Sequence, residues 1–591
     1  MWQGRRYPGR VTPPRKRLAI ALALAAAGLC AAAGAGTAGA PPASAGPAKA
    51  GSAHPNVLVI ETDDQTAASM SVMSNVNSRI VARGATFQNS FVNYSLCCPS
   101  RSTFLTGQYE HNHGVLGNSS PDGGFGRFES LHGTNNLAVW LQHSGYYTGL
   151  IGKYLNGYSN SPPVPPGWSE WHAAAPATLS VYDYTLNENG TLVQYGTDPQ
   201  DFKQDVLTGK AVEFVDRRAP ARKPFFLWLT YTAPHAGGPN PNPQPPANCD
   251  GTAKPAPRHA HSFDSEPLPM PPNYNEADVS DKPAEISSRP PLTAADTATI
   301  TRHYRCRLES LLSVDEGVNS IMDALKATGE LSNTYVVFTS DNGFFHGEHR
   351  IPGGKLHIYE ESIRVPLAIR GPGIPHGGKV RDLAINADLA PTIVDVTGAR
   401  PRLTMDGRSL VPLARHPTVE RGRELLIEQP TFEAIRTQRY IYAEHNTGEK
   451  ELYDLKNDPF ELQSRHDDPA YAAVKARLAA RLHSLEECQG ASCRTQPALR
   501  LALRHRSAHR HGHRCALRPI RALVKGRNAG GVVKAEFYVH GKLVGVDTRA
   551  PFRHRLPFRK FDRHGKTTVR VRASMLDGRR MTIDRRIRAC R

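Results

Sequence analysis

The chain has 591 residues, 39% of them hydrophobic and 21% charged. That length and balance support a large core and more than one domain, and they exclude a small scaffold or a chain too polar to fold. The formal charge of +19 is unevenly placed: residues 494–591 hold 27 Lys and Arg against 5 Asp and Glu, residues 1–17 hold six basic residues and no acidic ones, and the stretch between carries a net −9.

In chain order, Arg15-Lys16-Arg17 precedes an apolar run at 18–36, followed by Ala38-Gly39-Ala40 and Ala43-Ser44-Ala45. This is the pattern of a signal peptide, expected over residues 1–45, with an uncleaved membrane anchor as the alternative. Residues 56–60, Asn-Val-Leu-Val-Ile, predict a buried parallel strand with Asp63 and Asp64 at its carboxyl end. Two adjacent carboxylates there repel unless a cation lies between them, although Asp also caps helices.

The stretch Cys97-Cys98-Pro99-Ser100-Arg101-Ser102-Thr103-Phe104-Leu105-Thr106-Gly107 carries the most specific chemistry. A helix starting near Pro99 turns its free N–H groups and positive end toward Cys97, a setting for an anion or for a nucleophile that acts on one. A buried Cys pair is the plainer alternative. His111 and His113 follow at a spacing that suits metal or a solvated loop. A second strand at 147–151 ends near Lys153, and a third at 225–229 ends near His235. Residues 237–295 are rich in Pro, Asn and Asp and predict a long surface insertion bordering the active site. An amphipathic helix is predicted over 304–331, with Leu308, Leu311, Leu312, Val318, Ile321 and Leu325 at helical spacing. The strand 335–339 then ends at Ser340-Asp341-Asn342-Gly343, repeating the strand-then-Asp arrangement. Asp341 and Asn342 add a carboxylate and an amide oxygen, a hard donor set suited to Ca²⁺ or Mg²⁺, with an Asx turn as the alternative.

The Cys-x-Pro-Ser-Arg and Leu-Thr-Gly elements of residues 97–107 resemble the signature of the type I sulfatases. Gly152-Lys153, Ala233-Pro234-His235 and Gly354-Lys355 also follow that family's order, as do the later Asp406-Gly407-Arg408-Ser409-Leu410 and Glu451-Leu452-Tyr453-Asp454-Leu455. The resemblance implies an alkaline-phosphatase-like α/β sheet flanked by helices, with a smaller C-terminal sheet. It implies that Cys97 is oxidised to formylglycine by a maturation enzyme, and that Asp63, Asp64, Cys97, Asp341 and Asn342 hold a divalent cation, most simply Ca²⁺. Arg101, Lys153, His235 and Lys355 complete the catalytic set. The segments His111-Asn112-His113 and Lys153-Tyr154-Leu155-Asn156 are similar to the N-acetylglucosamine-6-sulfatase and heparan endosulfatase branch, which makes His111, His113 and Asn156 candidate substrate-binding residues. Leu155 departs from the His that many sulfatases place there.

With Cys30 in the signal, Cys97 modified and Cys98 free, sequence order suggests the pairs Cys249–Cys306, Cys488–Cys493 and Cys515–Cys590. The expected domains are a catalytic domain at 54–400, a C-terminal sulfatase subdomain at 401–487, a basic linker at 488–514, and a β-sandwich at 515–591 that resembles bacterial Ig-like modules. The expected function is hydrolysis of a sulfate monoester, an aryl sulfate or a 6-sulfated amino sugar of a sulfated glycan, by a secreted or cell-surface enzyme. Phosphate or phosphonate ester hydrolysis and inert polyanion binding are the alternatives. The basic C-terminus is expected to attract polyanions, with no specific nucleic-acid recognition.

Overall fold

A computed structural model describes residues 54–590 except 160–162, 176–178, 238–248, 511 and 563–564. The expected signal peptide lies outside the described residues.

The apolar runs build a ten-stranded mixed sheet. In spatial order its strands are Gly378–Val380, Ala85–Phe87, Leu367–Arg370, Thr334–Ser340, Asn56–Thr62, Phe225–Thr230, Tyr147–Gly152, Glu170–Ala174, Tyr184–Glu188 and Thr191–Tyr195. The five from Thr334–Ser340 to Glu170–Ala174 run parallel. All seven residues of Asn56–Thr62 are buried, as a strand covered on both faces requires. Successive side chains point to opposite faces. Val57 and Val59 pack among Phe104, Leu105, Trp140 and Ile393, whereas Leu58 and Ile60 pack among Leu207, Phe214, Leu311 and Val318.

The helix expected at 304–331 spans Ala294–Ala327. Its start is fixed by a capping box: the Asp296 N–H donates to Thr293 Oγ1 at 3.2 Å, and the Thr293 N–H donates to Asp296 Oδ2 at 2.8 Å. The first turns are polar and largely exposed, so apolar spacing did not mark them. The described part of the expected insertion, 249–293, is mostly irregular but firmly attached. Cys249 is bonded to Cys306, Asn273 is buried, and Lys282 pairs with Glu276 at 2.9 Å in the interior.

A second, antiparallel sheet of Leu425–Gln429, Phe432–Arg436, Tyr440–His445 and Lys450–Asp454 packs under the helix Ala472–Glu486, as expected of the smaller sheet. The C-terminal part forms two further antiparallel sheets around one apolar core. One holds Arg500–Arg504, Arg521–Lys525 and Arg553–Arg555; the other holds Lys542–Asp547, Val532–Val539, Lys566–Met575 and Arg580–Arg588. The expected linker is therefore corrected. Arg500–Arg504 pairs along its length with Arg521–Lys525, and Ser507–Arg510 forms a hairpin with His513–Ala516. The run of Arg and His hid the alternation of Leu501 and Leu503, and Leu501 is buried in the sandwich core.

The sandwich is fixed to the smaller sheet by a buried charge cluster. Arg579 reaches Glu424 Oε2 and Asp577 Oδ2, both at 2.9 Å, and the Thr582 N–H donates to the Glu420 carbonyl at 2.7 Å. All three expected disulfides form, and Cys97 and Cys98 are free and buried.

Candidate active site

Four adjacent parallel strands deliver the site. Asp341 and Asn342 follow Thr334–Ser340, Asp63 and Asp64 follow Asn56–Thr62, His235 follows Phe225–Thr230, and Lys153 follows Tyr147–Gly152. All stand at carboxyl ends, where open α/β sheets form their crevices. Gly152 has φ 111, and a Cβ there would lie 1.9 Å from the Thr230 carbonyl oxygen, so only glycine lets the chain bring Lys153 in beside its neighbour.

The helix Cys97–Thr106 begins at Cys97 rather than at Pro99, and all ten of its residues are buried. Pro99 is its third residue, where a missing N–H breaks no intrahelical bond. Gly107 ends it in the left-handed conformation at φ 70. The helix thus aims its positive end and Cys97 at the strand termini. Cys97 Sγ lies 3.0 Å from Lys355 Nζ and 3.5 Å from Asp63 Oδ1.

Opposite charges interlock around that sulfur. Lys153 contacts Asp63 and Lys355 contacts Asp64 through short ion pairs, and Lys355 Nζ also lies 3.3 Å from Asn342 Oδ1. Arg101 donates to Asp341 Oδ2 at 2.9 Å and to the Lys153 carbonyl at 2.8 Å. His235 Nε2 lies 3.5 Å from Asp64 Oδ2. Burial by itself would raise the carboxyl pKa values, but Lys153 holds Asp63 well below the usual carboxylate range and Lys355 lowers Asp64. Burial disfavours charge on His235 too, but Asp64 and Asp63 override it and raise its pKa to about 9.

Asp64 adopts φ 65, a left-handed conformation that costs a non-glycine residue roughly 1 kcal/mol or more. Asp341 Oδ1 accepts its N–H at 3.1 Å, and the Arg307 guanidinium donates to its carbonyl. Arg307 also donates to the Pro234 carbonyl at 2.8 Å and stacks on Phe344 at 3.9 Å. Sequence reasoning missed Arg307, which sits on a helix read only for its apolar positions. It also missed Glu61, buried 3.3 Å from Arg101, whose pKa burial lifts to about 7.

Two substrate-binding expectations are corrected. His113 is enclosed; its Nδ1 accepts from the Val115 N–H at 3.1 Å and its Nε2 bonds Thr103 Oγ1 at 3.0 Å. Burial pushes its pKa down to about 3, so it is a neutral core residue. His111 spends both ring nitrogens, one on Glu428 Oε2 at 2.8 Å and the other on the Cys488 carbonyl at 2.8 Å. It joins the catalytic layer to the smaller sheet. Asn156 is half-buried, and its Oδ1 is enclosed without a hydrogen-bond partner.

Among the described residues, ligand atoms of Asp63, Asp64, Cys97 and His235 lie within 4.8 Å of one another. The Asn342 amide joins them, its Nδ2 donating to Asp64 Oδ1 and its oxygen 3.3 Å from Lys355 Nζ, and with the two carboxylates of Asp63 and Asp64 the buried set fits a hard divalent cation. Asp341 is committed to Arg101 and to the Asp64 backbone, at the edge of that set.

The sulfatase family profile matches residues 55–399. The chain belongs to the sulfatase family. A second profile, N-sulphoglucosamine sulphohydrolase, C-terminal, matches residues 347–488 of this sulfatase. It is 31% identical over 494 residues to the N-acetylglucosamine-6-sulfatase of Homo sapiens, covering 75% of this chain and 86% of that one. It is 34% identical over 507 residues to an arylsulfatase of Volvox carteri, covering 74% and 75%. An extracellular sulfatase SULF-1 homolog of Drosophila melanogaster is 35% identical over 368 residues, 61% of this chain and 31% of the fly protein. The chain thus spans about a third of that relative, and 49% of its Caenorhabditis elegans counterpart. In fold, it superposes with a TM-score of 0.59, at 24% identity, on a protein solved with its substrate D-glucosamine-2-N,6-O-disulfate, covering 73% of this chain and 98% of that one. A phosphonate monoester hydrolase of Agrobacterium radiobacter aligns at 0.54 and 22% identity, covering 79% and 100%. These likenesses establish the alkaline-phosphatase-like fold.

Proposed function

We propose that this sulfatase hydrolyses sulfate monoesters with Cys97, once oxidised to formylglycine by a maturation enzyme, as the nucleophilic residue. The observation that carries the reading is the position of Cys97: at the start of a buried helix, 3.0 Å from Lys355 Nζ and beside Asp63. A hydrated aldehyde at position 97 supplies one hydroxyl for attack on sulfur and a second whose proton loss expels sulfate. Asp63, Asp64, Asn342 and residue 97, with Asp341 at the edge, would hold a divalent cation, Ca²⁺ for preference, which would supply positive charge to the nucleophile when bound.

The remaining roles belong to side chains already placed. Lys153 and Lys355 neutralise the sulfate oxygens as charge shifts onto them. Arg101 holds Asp341 and the Lys153 backbone and adds positive charge behind the nucleophile. His235, whose Nε2 lies 3.5 Å from Asp64 Oδ2, is placed to donate a proton to the departing alcohol. Asn156, half-buried three residues after Lys153, is the remaining candidate for substrate recognition.

For substrate we favour 6-sulfated amino sugars of sulfated glycans, because relatives are named for that chemistry and a fold neighbour was solved with a 6-O-sulfated glucosamine. Secreted or cell-surface location is supported by the three disulfides, which persist in oxidising compartments. We assign the C-terminal sandwich an Ig-like character on its two antiparallel sheets. Its basic surface is read as attracting polyanions.

Phosphate or phosphonate ester hydrolysis is the second reading, since two ammonium groups accept any tetrahedral anion and the fold is shared with a phosphonate monoester hydrolase. Matched aryl sulfate and aryl phosphate separate the two. The account expects the larger kcat/KM on sulfate, and a large phosphate preference would reverse it. Inert polyanion binding is disfavoured by the intact interlocked site; a protein with modified residue 97 and no turnover on any ester would restore it.

A further inference from the structure

We propose that the seam between the catalytic body and the C-terminal sandwich is a docking groove for a sulfated polysaccharide. The proposal rests on the sulfate-ester reading above and gives its substrate polymer a second point of contact, at a defined place.

Two neighbouring cavities lie along this seam, of about 800 and about 440 Å³, and Pro417 and Thr418 line both. The catalytic side supplies Lys379, Arg381, Arg415 and Arg421, and the sandwich supplies Arg570, Arg572 and Arg586. The strand Lys566–Met575 explains the second group. Its odd-numbered residues, Thr567, Val569, Val571 and Ala573, fill the sandwich core, so Arg570 and Arg572 face outward. Asp584 and Glu420 are the acidic groups along the groove. Asp584 is taken by Arg570 at 2.8 Å and Glu420 lies 3.4 Å from Arg580, which leaves the groove strongly positive.

The two sides are held in register by the contacts that fix the sandwich to the body. Buried Arg579 pairs with Glu424 and Asp577, and an isolated bridge joins Arg421 to Met581. Cations from two sheets thus line one rigid trough, and fixed charges bind a linear polyanion better than the same charges on mobile arms. Guanidinium groups suit sulfate because they offer paired donors to two oxygens. Among the described residues no Phe, Tyr or Trp lines either cavity and His416 is the one ring there, so a row of stacking platforms of the kind single-stranded nucleic acid uses is missing.

The test uses full-length protein and a size-defined heparin oligosaccharide, with affinity measured by titration from low to high salt. One variant carries Arg381→Gln, Arg572→Gln and Arg586→Gln. Its control carries Arg500→Gln, Arg504→Gln and Arg555→Gln on the other sheet, with the same loss of charge. Both are first checked for unchanged melting temperature. The seam variant is expected to lose about tenfold or more in affinity at low salt, and its salt slope to flatten by about one per lost contact. The control is expected to lose no more than about twofold to threefold. Equal losses in the two variants would overturn the proposal, leaving diffuse charge alone. So would duplex DNA of matched charge that binds as tightly as heparin and depends on the same three arginines. Binding is read without turnover, so this result stands apart from whether the site cleaves sulfate esters.

Discussion

At the carboxyl ends of the parallel strands, Asp63, Asp64, Arg101 and Lys153 are buried and each faces an opposite charge, whereas Arg500, Arg504, Arg555 and Arg586 of the sandwich stand in solvent. The difference shows two uses of charge. Enclosed charges interact strongly over a few ångströms, hold ionisation states away from their free values and fix atoms in place. Exposed charges are screened within about 10 Å, add little to stability, and act on the encounter with a partner. Removing one enclosed group should therefore affect the chemical step by orders of magnitude, while removing one exposed group should barely register.

The largest break is at the nucleophile. Cys97→Ala should lower aryl sulfate turnover by about 10⁵-fold or more, by analogy with loss of other covalent nucleophiles. Initial rates test this, and a residual rate within tenfold of the parent would remove Cys97 from the chemistry. Next, Lys355→Met should lower kcat by about 10²–10³-fold, as loss of one charge-stabilising donor does. An effect confined to KM would make Lys355 a ground-state binder.

A smaller effect is expected at Arg307, whose hydrogen bonds go to the Asp64 and Pro234 carbonyls and whose guanidinium lies over Phe344. Arg307→Gln frees the Asp64 carbonyl from its left-handed turn and should weaken calcium binding and kcat by about 10–100-fold, the usual cost of losing support behind a ligand. Arg307→Lys, able to reach one carbonyl, should lie between. Calcium titration calorimetry separates this from loss of folding: a lower melting temperature with unchanged calcium affinity would make Arg307 purely structural.

The site's outline was legible because its residues follow strands. Each apolar run ended near an Asp, Lys or His, which alone suited caps, turns or solvated ends equally well, and the resemblance to the type I sulfatases singled out Asp63, Asp64, Lys153, His235 and Asp341. Arg307 was not legible, because its partner Asp64 lies 243 positions away and nothing local marks a guanidinium that turns inward. The two histidines failed for the opposite reason. Polar residues in a Gly-bounded segment look solvated, yet long-range packing encloses His113 and pairs His111 with Glu428, 317 positions away. The strand Arg500–Arg504 was hidden by its setting, since exposed arginines bracket its two leucines and a run of Arg and His follows.

The smallest predicted effect concerns His111. Burial opposes its charge, Glu428 overrides this, and its pKa rises from 6.5 to about 9. A pKa raised in the folded state means that the contact contributes fully below pH 6.5 and is lost as pH climbs through about 9. The group is partly open to solvent, so the contribution is on the order of 1 kcal/mol. Denaturation midpoints at pH 6 and pH 10 should fall further apart in the parent than in His111→Gln. Parallel shifts would show that the pair adds nothing.

The central claim is that residue 97 acts as formylglycine, and mass spectrometry of the peptide carrying it, taken from active protein made in its native host, tests this most directly. The account predicts the aldehyde form, in a fraction that tracks specific activity across preparations. An unmodified Cys97 thiol in fully active protein would contradict it.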